Sequence, residues 1–78
     1  MLVVSIDHDG ATPIWVQLTN ILRARIESGE FAPGKLMPSI RTLCQEYGVA
    51  DGTVKRALAR LRDEGWADSV PGRGWYVR

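Results

Sequence analysis

A chain of 78 residues holds one cysteine, one histidine and one phenylalanine. Cys44 alone cannot form an internal disulfide. The single histidine, His8, lies 36 positions from it, so no metal-ligand spacing is present. Without a nucleophile–base set or paired acids at a glycine-rich pocket, the chain does not read as an enzyme, and no cofactor or metal is expected. No run approaches the ~20 apolar residues of a membrane span. The start, "MLVVSIDHDG", has no basic n-region and is acidic where a signal peptide would be apolar. A reduced, cytoplasmic protein with no membrane partner is the expectation.

These absences bear on stability. A chain of this length is one small domain, residues 1–78. One core of this size supplies only ~3–5 kcal/mol, and many such domains rely on a staple or a partner. Since neither disulfide nor metal is on offer, a partner becomes the stronger expectation. Hydrophobic residues at 45% and charged residues at 24% still place the chain among folded globular proteins rather than disordered ones.

The net charge of +1 looks too small for a polyanion binder, but it is unevenly spread. Residues 35–62 carry Lys35, Arg41, Lys55, Arg56, Arg60 and Arg62 against Glu46 and Asp51, a net +4. The segments before and after are net −2 and −1. Positive charge thus concentrates on the middle of the chain, as in a nucleic-acid footprint or a solvated helix face.

That middle is also where the pattern is densest. "LVVSID" is β-branched and reads as a short N-terminal strand, followed by the turn residues "HDGATP". A first helix then carries an apolar stripe at Ile14, Leu18, Ile21, Leu22 and Ile26, with Thr12 as its cap, Pro13 at its first position and Gly29 at its end. "FAPGKLMP" is a turn-rich connection with room for extended residues at Lys35 and Leu36. The second helix starts after Pro38 with Ser39 as its cap. It turns Ile40, Leu43 and Cys44 inward, with Tyr47 extending that face, and stops at Gly48. Val49 is an apolar plug between two packed helices. The third helix runs from about Asp51 to Glu64, with Val54, Ala57, Leu58 and Leu61 as its buried stripe and Gly65 at its end. "WADSV" and "WYVR" flank the turn sequence "PGRG" as a hairpin. The three tryptophans, Trp15, Trp66 and Trp75, read as core or dimer-contact residues.

The order is that of a mainly α (α+β) winged helix-turn-helix: three helices, a C-terminal β-hairpin wing and a short N-terminal strand. The tight turn at Gly48 fixes the third helix so that it protrudes. The major groove of DNA, ~12 Å wide, admits one such helix.

Residues 13–77 resemble the N-terminal winged-helix domain of GntR-type bacterial transcription regulators. The resemblance rests on "SGEFAPGKLMPSIRTL", "GVADGTVKRAL" and "EGW…PGRGWYV" in series, and "VSIDHDGATPIW" is similar to the lead-in of some members. It implies sequence-specific operator binding by a homodimer, usually to repress transcription, with the third helix in the major groove and the wing at the minor groove. Family members generally carry a larger C-terminal effector-binding and dimerisation domain. The chain stops at Arg78, at the end of the wing, which fits either a stand-alone DNA-binding protein or a domain cut from a larger one. No small-molecule effector site is evident. A small winged-helix architectural or excision factor of a mobile element is the alternative, and a winged helix used for protein contacts is a third.

The resemblance carries DNA contact onto individual residues. Arg41 matches the arginine after "P-S-x" and can clamp a phosphate or a guanine edge. Ile40 stands where many members have Glu, and that change should be tolerated. Ala50 and Asp51 depart from the usual Ser or Thr followed by Arg. Asp51 either caps the third helix or accepts from cytosine N4. Gly52 removes a side chain and lets the backbone approach the groove. Thr53 matches a motif threonine, and Lys55 offers a point charge where Arg is common. Arg56 can reach the backbone. Arg60 and Arg62 read as a solvated face. In the wing, Gly72 allows close approach and Arg73 can enter a minor groove. Ser39 is a helix cap first, with its amide end directed where a phosphate could sit. The exposed edge of "LVVSID" is the candidate self-contact.

Overall fold

A computed structural model describes residues 6–78. Three helices come first: α1 (Ile14–Glu27), α2 (Ile40–Tyr47) and α3 (Asp51–Asp63). An antiparallel hairpin follows, β1 (Ala67–Val70) and β2 (Gly74–Val77), in the register Ala67 to Val77 and Val70 to Gly74. This is the winged helix-turn-helix expected from the pattern. The expected strand over residues 2–7 lies mostly outside the described residues. Of its described part, Ile6 is buried and neither Ile6 nor Asp7 is in a strand, so the self-contact assigned to its edge has no structural description either.

The apolar stripe of α3 organises the core. Val54, Ala57, Leu58 and Leu61 are wholly buried, and α3 packs against α1, α2 and β1. Leu18 and Leu22 of α1, and Leu43 of α2, are equally buried across from it. Each fully buried leucine contributes about 1.5–3 kcal/mol over exposure. Surface ion pairs typically give about 0–1 kcal/mol. Burial therefore carries the stability, while charged groups set orientation. Ile14, Ile21, Ile40, Cys44, Tyr47, Val49, Trp66 and Trp75 pack around this cluster half-buried.

Two sequence-assigned caps are corrected. Thr12 does not cap α1: Pro13 holds that position, without a side-chain bond. The Thr12 carbonyl instead accepts from Gln17 Nε2 at 2.8 Å, and Gln17 also exchanges hydrogen bonds with the Asp7 backbone at 2.8 and 2.9 Å. One amide side chain thus ties the lead-in to α1. The helix begins one residue too late for Thr12 to cap it: the Pro13 carbonyl takes the first bonds, from the Val16 and Gln17 N–H groups at 3.0 and 3.1 Å. Nor does Asp51 cap α3. Ala50 is the cap by backbone geometry, and Asp51 is already helical. There its charge favours the positive helix end.

The expected stops are present. Gly48 adopts φ 64° after α2, in the left-handed region that side chains disfavour, and its N–H donates to the Cys44 carbonyl. Gly65 does the same after α3 at φ 83°. The connection before α2 contributes to the sheet. Leu36 bridges Tyr76, Met37 N–H donates to the Trp75 carbonyl at 2.7 Å, and Val77 N–H donates to the Lys35 carbonyl at 3.0 Å. The extended residues expected at Lys35 and Leu36 are therefore a short third edge of the wing.

Charge pairs fix the helices to one another. Arg25 donates to Glu46 at 2.7 Å, to the Tyr47 hydroxyl at 2.6 Å and to Glu30 at 2.7 Å, and lies over the Phe31 ring at 4.4 Å. Burial works against the Arg25 charge, but the bonds to Glu30, Glu46 and Tyr47 outweigh it and its pKa is raised. Burial pushes the Tyr47 phenol up as well, against the pull of Arg25. Between α1 and α3, Arg23 donates to Glu64 at 2.6 and 2.9 Å, and Arg60 donates to the same carboxylate at 2.9 Å.

Those arginines, Arg23 first, hold the Glu64 carboxyl below its ordinary 4.5. A depressed carboxyl stabilises the fold above its unfolded pKa, and that contribution is lost as pH falls through the folded value. Stability measured by urea unfolding should therefore decline from about pH 5 downward. Glu64→Gln should be less stable than the parent at pH 7 and should lose less between pH 5 and pH 3. Parallel pH profiles for the two would show that the pair contributes nothing.

Candidate nucleic-acid interface

Three separate segments converge on one cleft of about 580 Å³. The start of α2 contributes Ser39, Ile40 and Arg41, the start of α3 contributes Asp51, and the wing contributes Val70, Gly72, Arg73 and Trp75. Each segment is placed by a local feature. The Ser39 hydroxyl accepts from Thr42 N–H at 3.1 Å and donates to the Thr42 hydroxyl at 2.9 Å, which starts α2 and sets Arg41 in its first turn. Gly48 and the half-buried Val49 turn the chain so that Asp51 faces the same space. In the wing, Arg73 N–H donates to the Val70 carbonyl at 2.9 Å, and Gly72 sits at φ 76° between them. Any other L residue would be strained there.

The charges in this cleft are distinctive. Among the described residues, no carboxylate lies within 4.0 Å of Arg41 or Arg73, whereas six of the ten basic residues are paired. Unpaired guanidiniums beside the apolar walls of Leu36, Met37, Ile40 and Trp75 concentrate positive potential. Asp51 is the exception within the cleft, and it has its own counter-ion. Lys55 Nζ lies 2.8 Å from Asp51 Oδ2, an (i, i+4) pair with both side chains exposed. An ammonium has three donors, so Lys55 can keep Asp51 and still offer two to a second acceptor. The pair makes an acid tolerable on an otherwise positive surface.

The remaining sequence-assigned residues of α3 distribute around its exposed side. Ala50 and Gly52 are exposed, and Thr53 is half-buried. A Cβ built on Gly52 would meet nothing within 4 Å, so its lack of side chain leaves open space beside the helix start. Arg56 points elsewhere. Its guanidinium lies 4.3 Å from the centre of the Trp15 ring on α1 and is not part of the cleft. Arg60 is paired with Glu64 and Arg62 lies 3.7 Å from Asp63, consistent with a solvated face.

Two residues of this surface escaped the sequence reading. Leu36 is 56% exposed and Val70 is 39% exposed, both lining the cleft. In sequence they read as connection and strand residues; an apolar side chain in so turn-rich a segment as "FAPGKLMP" was the available signal.

Known proteins share this fold. A family model described as bacterial regulatory proteins, gntR family, matches residues 16–77. The chain belongs to the GntR family. The HTH-type transcriptional repressor NagR of Bacillus subtilis (strain 168) is 32% identical over 74 residues, covering 95% of this chain and 30% of NagR. The chain therefore spans under a third of that relative's length. YtrA from Sulfolobus acidocaldarius, a GntR-family transcription factor, is 36% identical, with a TM-score of 0.86 over 99% of this chain and 81% of that one. A crystal structure of the AraR N-terminal domain in complex with a mutant ORR3 superposes with a TM-score of 0.85 at 27% identity, covering 90% of this GntR-family chain and 100% of that domain.

The Asp51–Lys55 pair has a direct signature. The hydrogen bond from Lys55 to Asp51, and the carboxylate's charge, raise the Lys55 pKa above its ordinary 10.5. An NMR titration of the Lys55 Nζ should show it losing its proton at higher pH than in Asp51→Asn. Identical titration curves would mean that the pair does not persist in solution.

Proposed function

We propose that this chain is the sequence-specific, double-stranded DNA-binding module of a GntR-type transcription regulator acting as a repressor. The start of α3 enters the major groove and the wing approaches the minor groove. One observation carries the reading: Arg41, Asp51, Gly72 and Arg73, from three segments, line a single cleft in which both arginines lack a carboxylate partner. Repression is supported by NagR, a named repressor, and DNA as ligand by the AraR domain crystallised in complex with mutant ORR3.

The contacts divide by chemistry. Arg41 offers a planar fork for a guanine edge or a phosphate. Lys55 and Thr53 serve backbone phosphates, and Arg56 a phosphate further along α3. Ala50 and Gly52 keep the helix start slender, so that the groove floor can come close. Asp51 accepts from cytosine N4 and disfavours bases without that donor, while Lys55 offsets its repulsion of phosphate. Ser39 orients the α2 amide end toward the backbone, and Gly72 with Arg73 reaches the minor groove. One module buries only ~600–1,000 Å² on DNA. Two copies on half-sites of an inverted repeat, about one helical turn apart, gain avidity, so a homodimer forms at least on DNA.

Selection from a random duplex pool at near-physiological salt tests this reading. An enriched inverted repeat is expected, with a cytosine preference that Asp51→Asn relaxes. On that site Arg41→Ala should cost about 1–3 kcal/mol. Lys55→Ala should flatten the salt dependence by about one unit of slope. Binding without an enriched motif would point instead to an architectural protein, and no binding to a protein-contact module.

A further inference from the structure

Arg56, Arg60 and Glu64 are spaced four apart and form one ridge of α3 beside α1. Two of the three are committed to the fold. Glu64 takes both Arg60 and Arg23, which closes the far end of the ridge. Arg56 differs: no carboxylate lies within 4.0 Å of it and no hydrogen bond to a protein group holds it, among the described residues. What holds it is the ring of Trp15, in the first turn of α1, at 4.3 Å. A guanidinium held over a ring face is restrained without a hydrogen bond. None of the Arg56 N–H donors is taken by a protein acceptor among the described residues, so they stay available to an acceptor. The ring contact therefore restrains the charge without consuming its donors, which a carboxylate partner would do.

From this geometry we infer that Trp15 is a positioning residue, which holds Arg56 ready for a backbone phosphate on the α1 side of α3. The inference rests on the proposed docking of α3 and adds a residue outside the helix-turn-helix to it. A helix with its side chains is about 10–12 Å across, close to the ~12 Å width of the groove. Side chains on the flank of an inserted helix thus come up against the phosphates of the groove wall. Arg41 and Arg73 supply charge on the cleft side, and Arg56 is the cation without a carboxylate partner that α3 itself carries on the α1 side. A free arginine would lose much of its rotamer freedom on meeting a phosphate. Restraint by Trp15 removes part of that loss before binding.

The test is duplex binding by the whole 78-residue chain at several salt concentrations. The duplex is the selected site, or a mixed-sequence duplex if no site is enriched. Parent, Arg56→Ala, Trp15→Phe, Trp15→Leu and the Trp15→Leu/Arg56→Ala double variant are compared, with thermal melts reporting that each is folded. Arg56→Ala should flatten the slope of log affinity against log salt by about one unit. Trp15→Leu, which keeps an apolar contact but removes the ring, should weaken binding in the same direction. Trp15→Phe, which keeps a ring face, should retain most of the parent's behaviour. The double variant should bind no worse than Arg56→Ala alone. Additive losses in the double variant would overturn the inference, as would an unchanged slope in Arg56→Ala while the parent binds DNA. Either result leaves DNA binding by the chain standing, although an unchanged slope in Arg56→Ala would also remove the Arg56 phosphate contact from the proposed docking. A parent chain that binds no duplex removes the proposed function and this inference together.

Discussion

The structure depends on burying one face of α3 while leaving the opposite face open. Val54, Ala57, Leu58 and Leu61 are sealed against α1, α2 and β1, while Ala50, Asp51, Gly52, Lys55 and Arg56 remain exposed. No disulfide or described metal cluster shares the task. The two remaining helices and the wing follow from that requirement. Helix α1 covers one flank of the stripe, α2 covers the other through Leu43, and β1 closes the end through Ala67. A protruding helix is the geometric consequence of a core that holds it by a single face.

Division of the positive charge follows from the same packing. Arg23 and Arg60 meet at Glu64, Arg25 gathers Glu30, Glu46 and Tyr47, and Arg78 pairs with Asp68 at 2.7 Å. These charges hold elements together and contribute little to the outward field. Lys35, Arg41, Arg56 and Arg73 are the basic residues without a carboxylate within 4.0 Å among the described residues. A formal net charge of +1 therefore understates what a polyanion meets on the cleft side.

Much of this was legible in the sequence, for identifiable reasons. The stripe of α3, the Ser39 cap, the glycine stops and the hairpin are local signals, in which a few neighbouring residues specify the backbone. The convergence of Arg41, Asp51 and Arg73 was legible only through the resemblance, because their meeting requires the whole fold. Caps were harder. Thr12 and Asp51 both have the chemistry of a cap, but Pro13 and Ala50 reach the necessary backbone geometry without a side chain. The pairs that span the fold had no local signal at all. Nothing near Gln17 announces that it will bind the Asp7 backbone, and nothing near Arg56 announces Trp15, 41 positions earlier. The Asp51–Lys55 pair is a different case: an acid four residues before a base on a helix is a readable pattern.

The most direct test of a helix held by one face and read from the other is backbone amide NMR during titration with a duplex. Shift changes should concentrate at residues 39–41, 50–56 and 72–73. Amides beside the Glu64 pairs and along the far end of α1 should stay in place. Changes centred on residues 60–64, or spread evenly over the chain, would contradict the docking face described by the fold.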